Sequence, residues 1–332
     1  MTGTDAVRTD RHPLTADGSV ELAVVERSGF DESRHIGAGV VVDADGRVVD
    51  AVGDVAASVY PRSTMKPFQA IAIRRAGASF AAEELVLTTA SHAGTPAHQA
   101  IAEHMLGRFD HVEEDLGCPP DMPFDRETAR RMPGPRRLAM NCSGKHAGML
   151  GACRINGWDA STYLEIGHPM QQAVVRTVEE FTGEQVDVVG TDGCGAPVFP
   201  LTLHGLAKGI ARVVGPDDPA GVALTDAVLA HPWAIDGVGR ANTTTIERLG
   251  ILAKLGTEGV MVMGVRGAGA VAVKVLDGSQ RAGTLTALTL LARAGFVPAD
   301  EVRAVIAATS DTVLGGGTPV GRVRVGSGLA RS

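Results

Sequence analysis

Apolar and polar positions change their period along the chain. The first stretch alternates in twos. ELAVVERSG (21–29) and IGAGVVVDADGRVVDAVG (36–53) carry β-branched runs. Asp45-Gly46 sits between two such runs, a hairpin signal because this pair tolerates the positive φ of a tight turn. PRSTMKPFQAIAIRRAG (61–77) then reads as a turn entering a helix, with Pro67 in the first turn, where a missing N–H is tolerated. A long middle has helical spacing: AAEELVLTTASH, AHQAIAEHMLGRF, ETARRM and STYLEIGHPMQQAVVRTVEEFTG, interrupted by the loops LGCPPDMPFD and RRMPGPRR. VDVVGTDGCGAPVFP (186–200) reads as a strand running into a glycine-rich turn. PLTLHGLAKGIARVV and ALTDAVLAHPW return to helical spacing. GVMVMGV (259–265) and GAGAVAVKVLDG (267–278) are strand-like, and RAGTLTALTLLARAG and ADEVRAVIAAT are helical.

This order predicts an α+β protein. The N- and C-terminal strands share one antiparallel sheet flanked by helices, and the helical middle forms a second lobe. Residues 1–18 are polar and read as a disordered tail, leaving 19–330 as one two-lobed catalytic domain. No repeat of fixed period and no glycine-rich nucleotide fingerprint is present.

Composition narrows the function classes. In 332 residues, 44% hydrophobic and 21% charged side chains are ordinary globular values. A net charge of −7 and only 4% aromatics weigh against phosphate-backbone binding and base stacking, so no nucleic-acid partner is expected. The start, MTGTDAVRTDRHPLTADG, has no apolar signal core, and no run of about 18 apolar residues occurs. A cytoplasmic protein without a membrane partner is the expectation. Four cysteines are too few for a disulfide scaffold at this length.

Three strings carry chemistry. Ser63-Thr-Met-Lys66 puts a hydroxyl and an amine on one helix face, and the helix start offers N–H groups to an oxyanion. A lysine takes a serine proton only when desolvation or a neighbouring cation lowers its pKa. By itself S-x-x-K is a common accident. Serine hydrolases of this kind need a second hydroxyl or amide in the helical lobe and a basic residue on a late strand. Ser91 in SHAG (91–94) and Lys274 in AVAVKVLDG supply candidates. Taken singly, Ser91 is more simply a helix cap and Lys274 an edge-strand gatekeeper.

The other strings are Asn141-Cys142-Ser-Gly-Lys145-His146 and Asp192-Gly-Cys194-Gly-Ala-Pro. Each sets a cysteine among small residues, which suits close ligand or metal approach. The cysteines lack the paired C-x-x-C spacing of structural zinc sites. On chemistry alone the third metal donor is His146 or Asp192, since a lysine must be neutral to bind. A disulfide, two unrelated buried thiols, or a cysteine nucleophile beside His146 remain alternatives. Cys118 and Cys153 read as small apolar residues.

At these strings the chain resembles the L-asparaginase II family, typified by the inducible rhizobial enzyme. YPRSTMKPFQA, SHAG, NCSGKHAGML, DGCGAP, AKLGTEGV and the region around Lys274 carry the likeness, which runs from about Glu21 to the C-terminus. The resemblance implies a serine β-lactamase-like fold and hydrolysis of L-asparagine to L-aspartate and ammonia. It implies two catalytic pairs, Ser63 with Lys66 and Ser91 with Lys274. It implies zinc held by Cys142, Lys145 and Cys194, against the preference for His146 on chemistry alone. Lys145 would then be kept neutral by the metal. Substrate contacts fall to Arg62, suited to a carboxylate, with Asp192 and His146. A homodimer is the usual default. The outer strings depart from the family pattern at Pro119, Asp121-Met122, Thr95, Ala241-Asn242 and LGGGTPVG. The reaction class is therefore better marked than the substrate.

Overall fold

The strand Val20–Arg27 (β1) turns back through Ser28-Gly29 onto the long strand Phe30–Asp43 (β2), and Val48–Val52 (β3) follows the Asp45-Gly46 turn. The computed structural model describes residues 11–330. The hairpin reading of 36–53 holds, with Asp43 Oδ1 accepting from the backbone N–H of Asp45 and Arg47 inside the turn.

β2 organises the sheet. One edge of β2 pairs β1 along its first half and β3 along its second. Its other edge pairs Gly269–Val275 (β10). Between β3 and β10 come Ser58–Val59 (β4), Gly190–Thr191 (β5), Pro197–Val198 (β6), Leu201–Thr202 (β7), Leu252–Gly256 (β8) and Val260–Val265 (β9). Thr312–Gly315 (β11) and Thr318–Val325 (β12) close the chain. The main sheet runs β11-β12-β1-β2-β10-β9-β8, antiparallel throughout, with β3 beside β2. N- and C-terminal strands thus share one sheet, as the pattern predicts.

Helices cover it. In chain order they are Lys66–Arg75 (α1), Ala82–Thr89 (α2), Pro96–Gly107 (α3), Arg126–Arg131 (α4), Ser143–Asn156 (α5), Pro169–Thr182 (α6), Leu203–Val213 (α7), Pro219–Ala230 (α8), Ala241–Leu249 (α9), Gly283–Arg293 (α10) and Ala299–Thr309 (α11). α7 packs on β2, β9 and β10, and α10 on the same three strands. α1, α2, α3, α5, α6 and α8 pack mainly on one another and form the helical lobe. Side chains such as Phe68, Leu87, Met149 and Phe199 are fully buried there. None of the described helices is long and apolar enough to cross a membrane.

Four sequence expectations need correction. Residues 11–18 are not a free tail. Arg11 pairs with Asp187 at 2.5 Å and donates to the Pro200 carbonyl at 2.6 Å, Leu14 is buried, and Pro13 bridges Ser58. The rest of the expected tail, 1–10, lies outside the described residues. The strand expected at 186–189 is irregular, and only Gly190-Thr191 pairs. The helical pattern at 161–183 starts its helix only at Pro169, after a single 3-10 turn at Ala160–Thr162. β8 and the β11–β12 hairpin were not anticipated. β8 is only five residues long and contains Lys254, which blunts its apolar signal.

Candidate active site

Pro61 opens a 3-10 turn, Arg62–Met65, that runs straight into α1. The turn carries Ser63, and Lys66 is the first residue of the helix, so the i, i+3 spacing places both on one short rigid unit. Arg62 holds φ = +52°, a left-handed conformation that costs a non-glycine residue about 1 kcal/mol or more. That strain sits one residue before Ser63. The Arg62 side chain is anchored, with Nε donating to Asp192 Oδ1 at 2.7 Å.

β8 passes next to this turn. A methyl on Gly256 would lie 2.9 Å from the Pro61 carbonyl oxygen and 3.2 Å from the Ser63 nitrogen, so only glycine lets the strand run this close. Two residues earlier on the same strand is Lys254, fully buried. Its Nζ reaches Ser91 Oγ at 2.8 Å and the Leu255 carbonyl at 2.6 Å. Lys66 Nζ reaches the same hydroxyl at 3.0 Å and the Ala90 carbonyl at 2.5 Å. Ser91 therefore bridges two lysines.

A serine hydroxyl has one proton and two lone pairs. Two ammonium groups sharing that oxygen would repel each other in a buried site. Burial, and then the charge of Lys66, push the Lys254 pKa well below its usual range. Lys254 is accordingly the neutral member. Ser91 can accept from the Lys66 ammonium and donate to the Lys254 amine, which makes a short proton path.

Lys274 is not at this cluster. Its Nζ donates to the carbonyls of Glu258 and Val275 and holds the β9–β10 side of the sheet. The lysine that meets Ser91 is Lys254. The signal was present as Lys254-Leu-Gly256, lysine followed at i+2 by glycine, inside the AKLGTEGV string. Both lysines sit in apolar strands, and alternation does not say which face turns to the helical lobe.

The loop carrying Ser91 is stitched to its surroundings. Ser91 N–H donates to the Ile235 carbonyl at 3.0 Å, and Ala93 N–H to the Asp236 carbonyl at 2.7 Å. His92 is fully buried, and burial followed by the charges of His98 and Lys66 keeps it neutral. Its Nδ1 accepts from Gly94 N–H at 3.1 Å, so Nε2–H donates to Ser143 Oγ at 2.9 Å. His92, which the sequence did not single out, thereby ties the Ser91 loop to the start of α5.

The start of α5 carries the second cluster. Lys145 Nζ lies 3.0 Å from Cys194 Sγ, and both groups are buried. Cys142 stands beside the same sulfur. A hydrogen bond between the two cysteines, with burial, raises the Cys142 thiol. The same bond, opposed by burial and aided by Lys145 and then His146, lowers Cys194, making it the thiolate. Burial alone would lower the Lys145 ammonium, but the Cys194 and Cys142 sulfurs outweigh it and hold the proton on. All four cysteines are free, so the disulfide alternative falls. Burial pushes the remaining two thiols, Cys118 and Cys153, up to about 11, in keeping with no chemical role. His146 Nδ1 lies 2.6 Å from Tyr163 Oη.

Among the described residues no three His, Cys, Asp or Glu side chains gather as a metal site. Two sulfurs and one lysine nitrogen do converge. Two thiolates with a nitrogen donor suit zinc, provided Lys145 gives up its proton, as a bound cation would require. The donor set therefore fits that metal. Coulombic coupling joins this cluster to the first, since Cys142 and Asp192 both act on Lys254.

Sheet, helical lobe and site together define a mixed α/β protein with a buried serine–lysine cluster next to a pair of cysteines. The model of the L-asparaginase II family matches residues 23–325, and the chain belongs to that family. No curated protein matches the chain. Two solved structures that resemble it are crystal structures of Mglu, in its native form and in its tris and glutamate form, both 12% identical. The first covers 74% of this chain with a TM-score of 0.41, and the second 86% with 0.42. This chain spans 61% of the length of each.

Proposed function

We propose that the protein hydrolyses the side-chain amide of L-asparagine by nucleophilic serine catalysis on a serine β-lactamase-like fold. The observation that carries this reading is the Lys66–Ser91–Lys254 bridge beside Ser63. In the proposed reaction Ser63 Oγ bonds to the carboxamide carbon while its proton passes to the lysine–serine path. The Ser63 N–H, in the 3-10 turn that leads into α1, stabilises the oxyanion, a contribution typically worth about 3–4 kcal/mol. The C–N bond then breaks, and the path returns a proton so that nitrogen leaves as ammonia. Water attacks the acyl-serine ester, releasing aspartate and restoring Ser63.

Arg62 and Asp192 lie on the Ser63 side of the site and would receive the charged amino-acid head. Cys142, Lys145 and Cys194 would hold zinc, which when bound supplies a Lewis-acid centre that orients a polar substrate group. The protein is proposed to act as a homodimer in the cytoplasm.

Ammonia release from L-asparagine by the purified protein tests the reading, with L-glutamine and D-asparagine in parallel. Release from L-asparagine that disappears in Ser63→Ala is expected. Undiminished release by Ser63→Ala overturns serine catalysis. No release from folded, zinc-supplied protein overturns asparagine as the substrate.

A further inference from the structure

We propose that Asp236 and Arg240 are a positioning pair for Ser91, holding the loop that presents its hydroxyl to the two lysines. The inference rests on the functional reading in taking Ser91 to lie on the proton path. Three consecutive N–H groups fix that loop. Ser91 donates to the Ile235 carbonyl at 3.0 Å, His92 to the Asn141 carbonyl at 3.3 Å and Ala93 to the Asp236 carbonyl at 2.7 Å. The Ala93 carbonyl accepts the Asp125 N–H at 2.9 Å. Two of these four bonds end on residues 235 and 236, where the 3-10 turn Pro232–Ile235 stops.

The Asp236 side chain decides where that stop lies. Asp236 is only 2% exposed. Its Oδ1 accepts from Arg240 Nε at 2.5 Å, and its Oδ2 accepts the Asn242 N–H at 3.4 Å, in the first turn of α9. A carboxylate this far from water is bound to its donors, because losing one leaves a buried charge uncompensated. Arg240 extends the hold to the far flank of Ala93. Its guanidinium carbon lies 5.8 Å from the centre of the Phe124 ring, and the next residue, Asp125, is the one that holds the Ala93 carbonyl. A methyl on Gly237 would lie 3.0 Å from Ala93 Cβ and 3.1 Å from Arg240 Cδ, so the pair closes over the loop with no side chain between. α9 in turn packs on β8, the strand of Lys254. One carboxylate therefore ties the loop of Ser91 to the helix that packs on the strand of Lys254. The 2.8 Å between Ser91 Oγ and Lys254 Nζ depends on both.

Asp236→Asn keeps the size and removes the charge. Arg240→Gln removes the partner from a side chain that is 40% exposed, and carries both measurements should Asp236→Asn not fold. The first measurement, amide hydrogen exchange, needs no substrate. The Ser91 and Ala93 amides should exchange roughly tenfold faster in each variant, with Val271 and Val273 of β10 at wild-type rates. Second, kcat for asparagine should fall roughly 10–100-fold at unchanged KM, the cost of a catalytic group moved by a fraction of an ångström to 1 Å. In a Ser91→Ala background neither variant should lower the residual kcat further, because the pair acts through that hydroxyl. Where Ser91→Ala abolishes turnover, exchange and the split between kcat and KM decide. Wild-type exchange at Ser91 and Ala93 in the variants overturns the proposal. So does an equal loss of kcat in both backgrounds, which is the mark of a merely structural role, or a raised KM at unchanged kcat. Wild type that releases no ammonia from asparagine, with faster exchange in the variants, overturns the asparagine reading and leaves the pair as the holder of the Ser91 loop.

Discussion

Lys254 Nζ lies 2.8 Å from Ser91 Oγ, across 163 residues of sequence. No spacing rule connects two positions so far apart. Their meeting depends on β8 forming the sheet edge that faces the helical lobe. The two lysines can then be separated by experiment. Lys254→Met should lower kcat for amide hydrolysis by roughly 10²–10⁴, the usual range for a lost proton-transfer group. Lys274→Met should leave kcat near wild type and act on stability alone. Steady-state ammonia release measures both. Equal losses would mean that Lys254 is not on the proton path.

The lowered pKa of Lys254 has a definite sign. The neutral amine is the working form, so kcat/KM should rise with pH through a midpoint below the ordinary lysine value, and Lys254→Met should lose that limb. Stability follows the same proton. The unfolded chain keeps it up to the ordinary lysine value of 10.5, whereas the folded chain releases it earlier. The stabilising contribution is therefore fully present above that value and is lost as pH falls toward the folded pKa. Denaturant unfolding at several alkaline pH values should show stability rising with pH in wild type and a flatter profile in Lys254→Met.

Gly256→Ala tests the approach of β8 to the nucleophile. The added methyl meets the Pro61 carbonyl, the Ser63 nitrogen and Thr64 Cγ2. It must push the Ser63 turn away. A loss of kcat on the order of 10² is expected, since displacements near 1 Å cost that much. Overpacking should cost about 1–3 kcal/mol of stability in urea unfolding. Unchanged kcat would show that Ser63 does not need its present position.

Arg62→Ala removes the cation next to Asp192. A hydrogen bond to a charged group is worth about 1.5–3 kcal/mol, so KM for asparagine should rise roughly ten- to hundredfold. The left-handed backbone at Arg62 gives a control. Arg62→Gly relieves the strain while losing the same charge, and should match the KM of Arg62→Ala with higher stability. A large fall in kcat with unchanged KM would place Arg62 in the chemistry instead of in binding.

Much of this site was written locally. Ser63 with Lys66, and Cys142 with Lys145, are neighbours on one turn of helix, so spacing alone put each pair on one face. Ser91 was legible only as a candidate, because nothing in SHAG says where a second lysine will come from. That Lys254, and not the expected Lys274, meets Ser91 reflects a real degeneracy. Lys254 in LAKLG and Lys274 in AVAVKV are both lysines in apolar strands of one sheet. Only the glycine at 256, needed where the strand crosses the Ser63 turn, marks the one that meets Ser91. The ordered segment at 11–18 was missed for a related reason. Its anchor is Arg11 reaching Asp187 and the Pro200 carbonyl, partners that no local pattern reveals.

The strand order sets a geometry for handling the protein. β8, next to Ser63, is one end of the seven-strand path, and β11 is the other. At about 4.8 Å per strand, six steps put the β11–β12 hairpin roughly 29 Å from the chemistry. Its tip at Gly316-Gly317 is a tight turn whose added side chains would meet nothing within 4 Å. A fluorophore, resin linker or peptide tag attached there should leave turnover untouched. The same attachment on the Thr257-Glu258-Gly259 turn after β8 should not.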